Sequence, residues 1–454
     1  MGRAGAFTAR ADDASAIEYN PAGLASIDGT YIYLTNRFGY ADEEYRRAGT
    51  LDWSRAQGGL PDYVTFDPVS NQEAWQLLGP MVVAASDFGL DDWGFAIGAY
   101  GPPGIATQKF PVDGGSRYML TERDVKILYY NLSAAWKYKK IFGIGMSLQW
   151  VDMSSLKLGL VINGSTAPGD VSPVKSLFDM QAIVEGADHY GFSGILGAWY
   201  RPRPFLQMGF SGRLIPVDMN ADCDLSLEPL DLNLETPPEL KRNSKSDNDV
   251  TFSMTMPVEL RFGIRYMYLD AAKEVFDLEF DFRYEMWSLM DEFVINGEGL
   301  SAEVFGTEVE VGKIVIPKKW RDTYSLRLGS DVTVVEDVFF LRAGGFFESA
   351  AARRDYAYVD FFASDRLGAS AGASVTFYGL DLSLAYTYVF ELPFTVSEED
   401  SKIYQQVPGS SCDAPYTDSN TCDEHYAGQP SAAANAGTYI ASYHFMAMSV
   451  SYGF

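Results

Sequence analysis

From residue 250 onward, apolar and polar side chains alternate with a period of two. Val250, Phe252, Met254, Met256, Val258, Leu260, Phe262, Ile264, Tyr266 and Tyr268 hold every even position, with Thr251, Ser253, Thr255, Glu259, Arg261, Gly263 and Arg265 between them. Successive side chains of a strand point to opposite faces, so this period predicts one long strand with a wholly apolar face. The next stretch repeats it: Phe276, Leu278, Phe280, Phe282, Tyr284 and Met286 alternate with Asp277, Glu279, Asp281, Arg283 and Glu285. Only residues 270–274 lie between, which predicts a hairpin with a short turn. A register placing Arg265 opposite Asp277, Arg261 opposite Asp281 and Glu259 opposite Arg283 gives three opposite-sign pairs that brace the inner wall. Strands of a soluble sandwich usually run to about 5–6 residues, and these are far longer. In a transmembrane barrel the apolar face meets lipid, the polar face lines the lumen, and a tilted strand needs about 9–11 residues to cross.

The same rule predicts strands near 29–41, 78–88, 93–110, 122–138, 141–158, 189–203, 205–224, 249–269, 275–297, 321–335, 338–349, 367–378, 380–396 and 436–454. The expected fold is therefore all-β, a 14-stranded antiparallel transmembrane β-barrel. Tight connections (90–92, 139–140, 202–204, 336–337 and Gly379) alternate with long ones (42–77, 159–188, 225–248, 298–320 and 397–435). Short periplasmic turns and long outer loops are the arrangement of the bacterial outer membrane, and an even strand count places both termini on the periplasmic side. The last strand keeps the alternation to the end, through Met446, Met448, Val450, Tyr452 and Phe454.

Composition agrees. Aromatic residues make up 14% of the 454 residues, including 28 Tyr and 29 Phe, as interfacial girdles require. No apolar run approaches the roughly 18 residues of a membrane helix, so a helical bundle is excluded. A net charge of −26 argues against nucleic acid as a partner. No linker composition divides the chain, and no apolar leader follows Met1, as expected of a mature exported protein. Cys412 and Cys422, in a Gly/Ser/Asp-rich segment, are a candidate disulfide of an outer loop, with two free thiols as the alternative. Cys223 is the odd cysteine and reads as inert. With three histidines and no nucleophile, phosphate-loop or zinc spacing, the chain has no enzyme signature, and neither metal nor cofactor is expected.

About 28 residues precede the first strand and neither alternate nor resemble a disordered tail. They contain Gly2-Arg3, Ala11-Asp12-Asp13-Ala14 and Asn20-Pro21-Ala22-Gly23. With Trp93–Ile97, Tyr100-Gly101, Asn131–Ala135, Phe142–Met146, Trp320–Tyr324 and Tyr452-Gly453-Phe454, the chain resembles the FadL/TodX family of outer-membrane transporters for long-chain fatty acids and other hydrophobic compounds. The resemblance implies that residues 1–28 form an N-terminal hatch inside a barrel of residues 29–454, with Asn20, Pro21, Ala22 and Gly23 as its motif. It also implies passive uptake of a hydrophobic small molecule such as a fatty acid. Cargo would be captured among outer loops beside lipopolysaccharide, passed to a pocket at the hatch and released sideways into outer-membrane lipid at a kink in the third strand. Independently of the family, Tyr100, Gly101, Pro102, Pro103 and Gly104 interrupt that strand, because proline gives no donor to the ladder. An ordinary bulge or an early strand end is the alternative there.

Expected apolar contacts are Phe7, Ile17, Tyr19 and Leu24 of the hatch and Tyr100 at the kink. In 159–188, Leu177, Met180, Ile183 and Val184, with Phe178 beside them, can share one helical face that either forms the outer groove or packs on the rim. Lys157 is a candidate contact for a carboxylate head group. The protein is expected to be monomeric. Competing readings are a water-filled porin for small polar solutes and a surface adhesin or phage-binding barrel.

Overall fold

The computed structural model describes residues 1–52, 62–102, 104, 107–163, 179–230, 239–242, 250–271, 273–304, 307–362, 364–405 and 432–454. Among these, antiparallel ladders join fourteen staves. They are β1 (Thr30–Arg47), β2 (Trp75–Ser86), β3 (Trp93–Tyr100, resuming at Thr107–Lys109), β4 (Glu122–Tyr138), β5 (Phe142–Asn163) and β6 (Asp179–Arg203). Next come β7 (Leu206–Arg213 and Val217–Pro229), β8 (Val250–Met256 and Glu259–Asp270), β9 (Lys273–Glu285 and Glu292–Val304) and β10 (Thr307–Pro317 and Thr323–Val335). The wall is completed by β11 (Phe339–Glu348), β12 (Arg366–Phe377), β13 (Leu380–Glu391) and β14 (Gly437–Gly453). The last strand pairs with the first from Tyr31–Gly453 to Arg47–Gly437, which closes the barrel.

Several staves are longer than their sequence pattern predicts. β6 has 25 residues, about 80 Å along the strand, where about 9–11 residues cross a bilayer. The surplus lies at the end of the long loops, and there the polarity of the wall inverts. In the first half of β7, Leu206, Met208 and Phe210 face outward while Gln207, Gly209 and Ser211 are buried inside. After residues 214–216, Val217, Met219, Ala221, Cys223, Leu225 and Leu227 are buried inside, and Asp218, Asn220, Asp222, Asp224, Ser226 and Glu228 face out. The lower band thus suits hydrocarbon outside, and the upper band suits water outside with an apolar core.

Two expectations change for the same reason. The apolar face read from Val250 to Tyr268 belongs to two half-strands separated at Pro257-Val258. Val250 and Phe252 are buried inside the upper half, while Phe262, Tyr266 and Tyr268 are exposed on the lower outer face. Pro257 cannot donate to a ladder, and the break lets the two halves present even-numbered residues to opposite sides. β9 does likewise across the one-turn helix Trp287–Leu289: Asp277, Glu279 and Asp281 are buried inside below it, Phe293 and Ile295 above it.

The β8–β9 hairpin register also differs from the expected one. Arg265 lies opposite Glu279, Arg261 opposite Arg283 and Glu259 opposite Glu285, because the turn is tighter and a bulge follows it. Long side chains reach diagonally, so Arg265 Nε still donates to Asp277 at 2.6 Å and Arg283 Nε to Glu259 at 2.7 Å. Arg261 pairs with Glu259 instead of Asp281. The helical face expected at 177–184 is not formed: Met180, Ile183 and Val184 are residues of β6, paired with both β5 and β7. Two ladders outweigh local helical periodicity, and the strand period buries Met180 and Val184 while Ile183 turns the other way. Leu177 and Phe178 lie outside the described residues, as do Cys412 and Cys422. Cys223 is buried in mid-strand.

Connections that the alternation did not single out fold back over the upper lumen. Ser116, Met119 and Leu120 are buried between β3 and β4, and Ala357, Val359 and Phe362 between β11 and β12.

The inversion gives a test by substitution on one geometrical face. Leu328, outward on lower β10, changed to Arg should cost about 2–4 kcal/mol. Ser226→Arg, outward on upper β7, should change stability by less than about 0.5 kcal/mol. Denaturant unfolding in vesicles measures both, and equal costs would refute the assignment of the two bands.

Candidate functional site

The N-terminal segment lies against the inner wall, and its Asn-Pro-Ala-Gly string is built for that position. A single helical turn, Ala16–Tyr19, ends where the Asn20 backbone N–H donates to Ala16 O. A 3-10 helix, Pro21–Ser26, then starts with proline, whose missing N–H costs nothing at a helix start. Asn20 is fully buried: its Nδ2 donates to Thr8 O at 2.8 Å and to Ala198 O on β6 at 3.0 Å, and its Oδ1 accepts from Ala22 N at 3.2 Å. One side chain therefore ties two parts of the segment to the wall. Trp199 Nε1 donates to Ala22 O at 3.0 Å. A Cβ at Gly23 would stand 1.8 Å from Ala11 O, and one at Gly197 of β6 would stand 2.1 Å from Asn20 Oδ1, so both contacts require glycine.

On the opposite side the segment is held by charge. Arg3 donates to Asp277 at 2.6 Å, Asp331 at 2.7 Å and Glu279 at 2.9 Å. Asp281 accepts from the Phe7 and Thr8 backbone N–H groups, both at 2.9 Å, and Glu279 accepts from Ala9 N at 2.7 Å. Arg10 adds a contact to Asp331 at 2.7 Å, and Arg37 of β1 reaches Glu18 at 3.0 Å. Acids of lower β9 read from sequence as wall braces are thus largely anchors for residues 3–10.

Above the segment lies a cavity of about 870 Å³. Ala4, Gly5, Thr8, Glu18 and Tyr19 form its floor; Tyr100, Tyr129, Arg213, Glu259 and Arg261 stand on its lower wall. Phe252, Met254, Phe293, Trp320, Phe361 and Phe362 make the upper part apolar. At the top the Lys318 ammonium sits 4.0 Å from the Tyr358 ring centre and pairs with Asp360, while Arg123 lies 4.2 Å over Phe361.

The same cavity is bounded by Trp75 and Leu77, which are 76% and 65% exposed on the outer face. It reaches them beside an interval in the ladder of the described residues. Among the described residues the β2–β3 ladder stops at Met81–Tyr100, and Thr107–Lys109 forms a ladder only with β4, Gln72 N–H donating to Lys109 O on its other side at 2.8 Å. Between Tyr100–Tyr129 and Thr107–Asp124, β3 advances seven residues against five on β4. Gly101, Pro102 and Gly104 lie in this interval; Pro103 lies outside the described residues. Gln76 bridges it with its side-chain amide, donating to Thr107 O at 2.5 Å and accepting from Thr107 N at 3.1 Å. A Cβ at Gly101 would lie 3.0 Å from Gly79 Cα, so the two strands meet there without side chains.

Of the expected contacts, Tyr19 and Tyr100 line the cavity. Phe7 instead supports Tyr19 edge-on at 5.5 Å, and Ile17 and Leu24 are fully buried between segment and wall. Met180, Ile183 and Val184 are not among the lining residues. Neither is Lys157: it makes 3.0 Å ion pairs with Glu122 and Glu185 of the flanking strands. Tyr129, Arg213 and Gln76 escaped the sequence reading, since each sits in an ordinary alternating strand and gains meaning only from its neighbours across the ladder.

The sequence pattern of the family described as outer membrane protein transport protein (OMPP1/FadL/TodX) matches residues 1–442. No curated protein matches the chain. Among solved structures, a Pseudomonas aeruginosa FadL homologue aligns with a TM-score of 0.72 at 15% identity over 99% of this chain and 98% of its own. The monoaromatic hydrocarbon channel CymD aligns at 0.58 with 16% identity over 98% and 94%, and the P. putida toluene transporter TodX at 0.61 with 13% over 97% and 94%. These likenesses show the shared barrel fold. The match along nearly the whole sequence, on a closed fourteen-stranded barrel, makes the chain a member of the OMPP1/FadL/TodX family of outer membrane transport proteins, which are channels and not enzymes.

Proposed function

We propose that the protein carries hydrophobic small molecules, fatty acids or other apolar compounds, passively across the outer membrane and releases them sideways through the interval at Gly101–Gly104. The observation that carries this reading is the single cavity bounded both by the N-terminal segment and by Trp75 and Leu77 of the outer face. Its upper part is apolar, so cargo leaving water gains about 0.8 kcal/mol per buried CH₂, and the bilayer beyond the interval offers the same. A ladder that lapses over β3 is what a lipid-side exit requires, because an intact one leaves no opening for an alkyl group. In this reading residues 1–28 are the hatch, the termini are periplasmic, the loop end stands among lipopolysaccharide, and one chain suffices. CymD and TodX, described as a hydrocarbon channel and a toluene transporter, have the same barrel, which makes apolar cargo the natural reading for the family member here.

Native mass spectrometry of the detergent-purified protein should find co-purifying apolar molecules, and planar bilayers should show negligible steady conductance. An empty lumen with stable large currents would replace this reading by that of a porin. Replacing Gly101 and Pro102 by Val should reduce uptake of a radiolabelled apolar tracer at least tenfold while heat-modifiable gel migration still reports a folded barrel; unchanged uptake would reject the sideways route. Asn20→Ala leaves the Thr8 and Ala198 carbonyls and the Ala22 N–H without their partner, a loss of about 1–3 kcal/mol in hatch docking. Conductance should then rise above that of the unaltered protein, and an unaltered trace would show that Asn20 does not hold the hatch.

A further inference from the structure

We infer that the outer, lipid-facing wall of β2–β6 carries an acyl-chain groove, separate from the lumen, that holds one fatty chain of lipopolysaccharide. This rests on the proposed function only for the orientation, loop end outward, and not for what the cavity carries. A hollow of about 800 Å³ opens on the outside of these five staves. The ladders set its shape. One outward row runs Val82–Ala99–Tyr130–Trp150–Phe192, and the outward row below it runs Ala84–Ile97–Leu132–Leu148–Gly194. Between the rows the floor is backbone, at Gly98, Asn131, Gln149 and Ser193, and the last three side chains are buried inside. Tyr130 and Trp150 pack with ring centres 5.1 Å apart, and Trp150 Nε1 donates to His189 O at 2.5 Å, which fixes the upper bank.

The surroundings decide the occupant. Ile97, Leu132 and Phe192 are 64%, 62% and 67% exposed in the hydrocarbon band. The floor spends its N–H and C=O groups on the ladders, so water finds no partner there, and an empty hollow forfeits dispersion contacts on every side. The two rows stand about 7 Å apart, and five staves span four spacings of about 4.8 Å, roughly 19 Å in all. That slot admits one extended alkyl chain, whereas the convex wall of a second barrel is too broad to enter it. Past Leu128, two outward positions above Tyr130, the Lys126 side chain is 62% exposed, and its 3.2 Å pair with Asp124 lies in solvent where it exchanges readily. An ammonium directly above an apolar slot matches a lipid with an anionic head over a fatty chain. The groove ends just below the change of wall polarity, which places it in the leaflet on the loop side, the lipopolysaccharide leaflet in this orientation. Ala99 and Tyr130 adjoin Tyr100 and Tyr129, the last rung before the β3 interval, so a seated chain runs along the lower lip of that interval.

The full-length protein, stripped of lipid by detergent exchange and incubated with lipid A or with dipalmitoyl phosphatidylglycerol, is weighed by native mass spectrometry. A single molecule of lipid A should remain bound. Ala84→Phe with Ala99→Phe fills the groove from its own outward rows and should lower that retention about tenfold or more, while Val375→Phe, outward on β12, should leave it unchanged. Lys126→Gln should lower it about two- to fivefold. Heat-modifiable gel migration reports that each variant is folded. No retained lipid A, equal retention by the groove-filled variant, or preferential retention of phosphatidylglycerol would overturn the inference. So would a dimer that dissociates when the groove is filled, because the face would then belong to a second copy. Lipid A retained by a protein that holds no apolar molecule in its lumen would count against the proposed function alone.

Discussion

A chain that crosses hydrocarbon as strands must satisfy every backbone N–H and C=O within its own ladder, and closure is the only way a sheet does so without an edge. Pairing of β14 with β1 along nearly their full length meets that constraint. The rest of the molecule is arranged around it, including the lapse in the ladder beside β3. There the Gln76 amide supplies both a donor and an acceptor to Thr107, so the wall stays tied above the interval although the ladder has stopped. The interval is thus tied to a neighbouring strand above it and is not the frayed end of a sheet.

Closure also creates an interior that has to be filled or lined. The N-terminal segment docks on two kinds of surface: a bare backbone patch at Gly197, where Asn20 and Pro21 approach closely, and a set of acids on β9 and β10 that receive Arg3, Arg10 and consecutive backbone N–H groups. Burying so many charges is a weak source of net stability, since desolvation offsets much of the Coulomb gain. Its consequence is position. Removing one partner strands another charge, so the segment has one seating in the lumen instead of many. The Tyr19 ring and the floor of the cavity are fixed with it.

The polarity inversion links the barrel to its surroundings on both sides of the membrane boundary. Below residues 214–216 of β7 the outward face is apolar and the inward face polar; above, the faces exchange. An apolar lumen follows from water outside the upper wall, just as a polar lumen follows from lipid outside the lower wall. The cavity spans the junction, which places aromatic lining above and hydrogen-bonding groups below, next to the β3 interval.

Period-two alternation, long strands and alternating turn lengths were enough to read the class, the number of staves and their order from the sequence, because each rests on local geometry. The strand break after Tyr100 was legible from its prolines, which act on their own backbone, whereas the Asn20–Gly23 string stood out only through the family resemblance, since Asn20 acts through Thr8 and Ala198. What alternation does not encode is which face is inside. At Pro257 the same even-numbered pattern passes from inner core to lipid surface, and only the neighbouring strands decide where the exchange falls. The segment around Met180–Val184 shows the other limit, since a plausible helical face loses to two ladders that sequence spacing does not reveal. Register, the carboxylates that occupy Lys157 and the meeting of Tyr100, Tyr129 and Arg213 likewise belong to the tertiary structure, because each depends on residues brought together across strands rather than along one.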